Sequence, residues 1–154
     1  MAISSEEKFV VLHVEADDEA AKRFASAFEK VRKAEVLVRV QDGIDGMKFI
    51  MEHGAPQCVV THLKYGSLTG LELIGWLRGC ERYRELPIFV CDDSRERSDA
   101  AEKCRHLNVD GHLADEVGPH DVEGILLRVR SLRNEADAKH EALLGRIVSR
   151  MFSR

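Results

Sequence analysis

Five short apolar runs punctuate the chain: Phe9–Val14, Glu35–Val40, Cys58–Thr61, Ile88–Cys91 and Val109–Leu113. The first and fourth are continuously apolar apart from His13, as expected of strands buried on both faces of a parallel sheet. Between the runs, apolar positions recur with helical period. Ala21, Phe24, Ala25 and Phe28 form one stripe within Asp18–Val31. Ile44, Met47, Phe49, Ile50 and Met51 form a second after Gly43, and Leu71, Leu73, Ile74, Trp76 and Leu77 a third after Gly70. Ser94 is placed to cap a fourth helix running to His106. This alternation predicts an α/β protein of five βα units. Right-handed crossovers would put helices on both faces of the sheet and give a three-layer sandwich.

The last segment breaks the rhythm. Asp121 to about Met151 contains no proline and only two glycines, Gly124 and Gly145. Unbroken, it would form a helix of roughly 45 Å, and the sheet can cover only part of that length. The apolar positions beyond Leu132, among them Ala136, Leu143, Leu144, Ile147, Val148 and Met151, need another partner. A second copy of the chain, paired helix to helix, would supply it. The alternative is a break near Asn134, with a short last helix folded back.

Composition narrows the setting without deciding the chemistry. Hydrophobic residues make up 44% of the 154, enough for one ordinary core. The formal charge of −4, from 23 basic and 27 acidic residues, is too balanced for a nucleic-acid-binding surface. No apolar run approaches the ~20 residues that a membrane-spanning helix needs. Residues 1–7 are short and polar and do not read as a signal peptide. The four cysteines, Cys58, Cys80, Cys91 and Cys104, form no CxxC pair and read as reduced thiols in a cytoplasmic protein.

Chemistry in an open α/β sheet belongs outside the carboxyl ends of its strands. There the chain places Glu15-Ala16-Asp17-Asp18, then His62, then Asp92-Asp93-Ser94, then Ala114-Asp115-Glu116. Glu15, Asp17 and His62 are weak metal candidates by residue type, but come from separate loops without diagnostic spacing. No glycine-rich phosphate loop is present, and no cofactor is expected. His13 reads as a satisfied core residue, and Trp76 as core rather than a binding aromatic. His62 is expected to pair with Asp92 or Glu15, and such carboxylates would raise its pKa.

The stretches Val11-Leu12-His13-Val14-Glu15-Ala16-Asp17-Asp18, Pro56-Gln57-Cys58-Val59-Val60-Thr61-His62-Leu63, Gly70-Leu71-Glu72-Leu73-Ile74, Leu86-Pro87-Ile88-Phe89-Val90 and Val109-Asp110-Gly111-His112-Leu113 resemble, in order and spacing, the receiver domain of two-component response regulators. The resemblance covers roughly residues 8 to 132. It implies a CheY-like, flavodoxin-like (βα)5 sandwich with a parallel sheet in the order 2-1-3-4-5. It also implies a family chemistry: phosphoryl transfer from a histidine kinase to an aspartate at the end of the third strand.

The positions that carry that chemistry are changed. The phosphoacceptor falls on His62. The acidic pair falls on Glu15 and Ala16, the switch hydroxyl on Asp92 with Asp93 after it, and the conserved lysine on Asp115. Aspartyl phosphorylation needs a carboxylate nucleophile, a carboxylate-held divalent cation and a positive charge for the phosphoryl oxygens. His62, Ala16 and Asp115 would remove one of these each. The aromatic of the fifth strand falls on His112, a candidate interaction residue together with Leu132, Leu143 and Ile147.

The expected organisation is a flexible 1–7, a receiver-like domain over 8–132, and a helical extension over 133–154 that dimerises or connects. The expected function is a degenerate, non-enzymatic receiver in phosphorelay-type signalling, with no catalytic residue. It would bind signalling proteins and a second copy of itself, with no nucleic acid and no membrane insertion. Two alternatives stand beside it. One is a receiver with an altered site that still accepts phosphate with a divalent metal. The other is a metal- or small-ligand sensor centred on His62.

Overall fold

The computed structural model describes residues 9–31, 36–63, 69–91, 102, 104, 106–113 and 116–153. Five parallel strands form one sheet: β1 Val10–Val14, β2 Val36–Val40, β3 Cys58–His62, β4 Ile88–Cys91 and β5 Gly111–Leu113. Their order is β2-β1-β3-β4-β5, as the receiver resemblance implies. The described helices are α1 Asp18–Val31, α2 Gly43–His53, α3 Gly70–Gly79 and α4 Pro119–Phe152, with one 3-10 turn at Glu81–Tyr83. The helix expected from Ser94 to His106 falls largely outside the described residues. Of it, Glu102 and Cys104 are helical, and Cys104 is buried.

Alternation along the strands divides the core between two faces. Leu12, Val14, Val59, Ile88 and Val90 pack with Ile50 of α2 and Leu73, Ile74 and Leu77 of α3. Val11, Cys58, Val60, Phe89 and Cys91 pack on the other face with Phe24 and Phe28 of α1 and Val122, Ile125, Leu126 and Val129 of α4. Trp76 is only half-buried at the margin of the first cluster, tilted against Tyr83 with ring centroids 5.6 Å apart.

Local chemistry sets the element ends. Asp17 Oδ1 accepts the Glu19 N–H at the start of α1, and Asp42 Oδ1 accepts the Asp45 N–H at the start of α2. Thr69 and Glu72 form a reciprocal capping box at the start of α3. β5 begins two residues later than the apolar run suggests. Asn108 turns the chain with φ of 51°, and the Asp110 side chain, not a backbone carbonyl, accepts the Ile88 N–H at 2.8 Å. Arg78 closes this end of the molecule. Its guanidinium donates to the carbonyls of Leu107, Arg84, Leu86 and Asn108 and lies 3.4 Å from Asp110. Burial lowers the Arg78 pKa against the opposing pull of Asp110.

The last helix is continuous through its 34 residues, so the break near Asn134 does not occur. It begins at Pro119, earlier than Asp121, with the Asp121 carboxylate accepting the Gly118 N–H at 2.9 Å. Proline suits a first helical turn because its missing N–H would be unpaired there in any case. At 1.5 Å per residue α4 is about 51 Å long. Only Val122, Ile125, Leu126 and Val129 are buried, and past the half-buried Leu132 every described residue is exposed. No described helix is long and apolar enough to cross a membrane.

Candidate functional site

Strand parity and register build the site. On β1, residues 11, 13 and 15 face α1 and α4. On β3 the same face carries 58, 60 and 62, and on β4 it carries 89 and 91. The register pairs Val14 with Thr61 and His62 with Cys91. One step beyond Val14, Glu15 therefore arrives beside His62 on the same face. Its own N–H extends the sheet by donating to the Val40 carbonyl at 2.9 Å.

His62 Nε2 lies 2.8 Å from Glu15 Oε2. The imidazole is one-fifth exposed, whereas the carboxylate is 4% exposed. Glu15 Oε1 accepts the Asp17 N–H at 3.1 Å. Burial opposes ionisation of Glu15, but the hydrogen bond and positive charge of His62, with the Asp17 N–H, outweigh it. The Glu15 pKa consequently lies below its ordinary value. Of the two partners expected for His62, Glu15 is the one seen; Asp92 lies outside the described residues.

His13 is the second histidine of this corner. It is 2% exposed, and its ring stacks on Phe24 with centroids 4.1 Å apart. Its Nδ1 is buried and finds no hydrogen-bond partner among the described residues. It is therefore a core histidine as expected, but not a satisfied one. Burial pushes its pKa down to about 4, helped by the charges of His62 and Arg39 and opposed by Glu15. His13, Glu15, His62, Phe24 and Cys91 enclose a space of about 10 Å³, room for one water molecule at most.

Two further groups hold the corner. Arg39 sits beside His13 in the β1–β2 register, donates from Nε to the Glu15 carbonyl at 2.9 Å, and pairs with Asp18 at 2.8 Å. The loop after β1 is thus not purely acidic in its surroundings. Thr61 is fully buried, and its hydroxyl donates to the His62 carbonyl at 2.8 Å. Gly70 lies against the same carbonyl. A Cβ there would stand 1.7 Å from the His62 oxygen, so the first turn of α3 can approach β3 only with glycine.

The remaining candidates scatter. Ala16 and Asp17 are exposed, and Asp17 is turned to cap α1 rather than towards His62. Asp92, Asp93 and Asp115 lie outside the described residues. His112 is exposed on β5, Leu132 is half-buried, and Leu143 and Ile147 are exposed on α4. Among the described residues no group of three or more His, Cys, Asp or Glu side chains is spaced to hold a metal ion. Sequence reasoning missed Arg39 and Thr61. The available signal for Arg39 was its opposition to His13 once β1 and β2 are aligned in parallel.

No protein-family model and no curated protein matches the chain. Solved structures do. A two-component response regulator from Legionella pneumophila superposes with a TM-score of 0.72 at 16% identity, over 80% of this chain and 99% of its own. The bacteriophytochrome response regulator RtBRR gives 0.71 at 19% identity, over 90% and 96%. The Mn²⁺-bound form of response regulator Rcp1 gives 0.63 at 17% identity, over 75% and 88%. The chain has the receiver fold of response regulators. Within that fold, His62 is at the carboxyl end of the third strand, with Glu15 at the end of the first beside it.

Proposed function

We propose that this chain is an interaction module of receiver type in two-component or phosphorelay-like signalling, working without phosphorylation and without catalysis. The observation that carries the reading is the 2.8 Å contact between His62 Nε2 and Glu15 Oε2. A receiver needs a carboxylate nucleophile where His62 stands and metal-holding carboxylates where Glu15 and Ala16 stand. Here the single retained carboxylate is engaged by the imidazole that replaces the nucleophile. The Nε2 of that imidazole faces the carboxylate. The pair supplies internally the charge neutralisation that a metal would otherwise provide, and so holds this end of the sheet in one state.

Such a module acts through its surfaces. Its partners are other signalling proteins and a second copy of itself, not nucleic acid. The test is incubation with acetyl phosphate and Mg²⁺, read by intact mass, and with beryllofluoride and Mg²⁺, read by calorimetry. The expected outcome is an unchanged mass and no Mg²⁺-dependent binding. A gain of one phosphoryl group, or stoichiometric Mg²⁺-dependent beryllofluoride binding, would show instead an altered site that still accepts phosphate.

A further inference from the structure

We infer that one water molecule is held between His13 and Glu15 beneath α1, and that His13 acts through it as a positioning residue for the contact of Glu15 with His62. Two enclosed polar atoms carry the inference. His13 Nδ1 is shut off from solvent and has no hydrogen-bond partner among the described residues. Glu15 Oε2 is equally enclosed, and its contact with His62 Nε2 leaves it a lone pair for a second donor. Folded interiors rarely leave such atoms unpaired.

Both side chains line the same space of about 10 Å³. That is about the room one water needs, and a buried water needs about two to four polar partners. The backbone explains why the two groups require a bridge. Glu15 follows His13 by two residues on the same face, so the two side chains leave the chain roughly 6.6 Å apart. Neither is placed to close that gap. The His13 ring is stacked on Phe24 with centroids 4.1 Å apart. The Glu15 carboxylate is fixed by the Asp17 N–H on Oε1 and by His62 on Oε2.

The charge states suit a water that donates to both. At neutral pH Glu15 is ionised and His13 is neutral, so each offers an acceptor. Ala20, Arg23 and Phe24 of α1 cover the space, and Cys91 and Val117 complete its lining. Glu15 is then steadied on both oxygens, and its aim at His62 depends on a side chain that touches neither partner directly. Packing and hydrogen bonding by His13 make opposite demands here. Leucine would fill the place of the ring, whereas asparagine would keep a polar atom near the position of Nδ1 and fill less of it.

The inference concerns the corner on which the proposed function also rests, but stands on the geometry of that corner alone. Its test is high-resolution crystallography and water–protein cross-relaxation by NMR on the full chain, with His13→Leu and His13→Asn beside it. The expected result is an ordered water within hydrogen-bond distance of His13 Nδ1 and Glu15 Oε2, cross-relaxing with the ring protons of His13 and Phe24. A water should remain there in His13→Asn and be lost in His13→Leu. Both variants lack the imidazole, so ring-current effects cancel when they are compared. The Glu15 carboxyl-carbon and His62 Nε2 resonances of His13→Asn should lie nearer those of the unsubstituted chain than those of His13→Leu do. No water at this place in the unsubstituted chain, or one that persists in His13→Leu, overturns the inference. Coincident resonances in the two variants overturn the positioning role. If a variant does not fold, the unsubstituted chain still decides whether the water is there. A phosphorylated chain that holds the water would refute the proposed function and leave this inference standing.

Discussion

Replacing His13 with leucine isolates one titration. The two side chains are close in volume, and leucine leaves no polar atom in the buried slot against Phe24. In the folded chain the imidazole has a pKa of about 4, against 6.5 for the unperturbed group. Above pH 6.5 it is neutral in both states and contributes no pH dependence. Between 6.5 and 4 the unfolded chain binds the extra proton and the folded chain does not, so stability falls as the pH falls. At about 1.4 kcal/mol per unit, the full loss below pH 4 is about 3 kcal/mol, and some 2 kcal/mol of it is reached by pH 5. The assay is urea unfolding of wild type and His13→Leu at pH 7.5 and pH 5. Any offset at pH 7.5 is immaterial; the difference between the two proteins should shift by about 2 kcal/mol in favour of the variant at pH 5. Glu15 is present in both, and its own contribution is lost at lower pH, below its ordinary value of 4.5. A shift under about 0.5 kcal/mol would refute the buried, neutral histidine.

Three other outcomes follow from contacts described above. Glu15→Gln and His62→Ala, alone and combined, should show a coupling of about 1.5–3 kcal/mol at neutral pH in a double-mutant cycle; additive losses would mean that the pair contributes nothing. Gly70→Ala should cost about 2 kcal/mol or more in urea unfolding, because its Cβ would meet the His62 carbonyl; wild-type stability would deny the close approach. Arg78→Ala should cost about 2–4 kcal/mol by leaving several carbonyls and Asp110 without their donor. Arg78→Lys should recover less than half of that, since an ammonium cannot reproduce the planar fork, and full recovery in thermal unfolding would contradict this.

Much of the sheet was legible because parallel strands buried on both faces are nearly pure apolar runs, as Ile88–Cys91 is. The meeting of Glu15 with His62 was legible in part. Both were placed at strand ends, but that Glu15 arrives beside His62 required the register, which depends on how β1 and β3 align in three dimensions. His13 shows where pattern fails. A histidine inside an apolar run announces burial but says nothing of whether its nitrogens find partners. Arg39 was invisible because one arginine in an otherwise apolar strand reads as a solvent-facing position, whereas here its guanidinium turns back over the Glu15 carbonyl. The late start of β5 was hidden because Asp110 substitutes a side-chain acceptor for a backbone one, and periodicity carries no trace of that. The capping box of Thr69 and Glu72 was readable from its spacing and was overlooked beside the more conspicuous glycine.

The division of the core between two faces has a consequence for the order in which the chain can fold. The α2 and α3 side is complete once residues up to Val109 are available. The α1 side needs Val122, Ile125, Leu126 and Val129, so Phe24 must await partners about a hundred residues away. A nascent chain emerging from the ribosome would therefore seal one side of its sheet while the other stays raw. Glu15 and His13 lie on that raw side and remain in contact with water until α4 docks. Their dehydration marks the end of folding, and a chain halted after Val109 would offer Phe24, Phe28 and Phe89 to a chaperone.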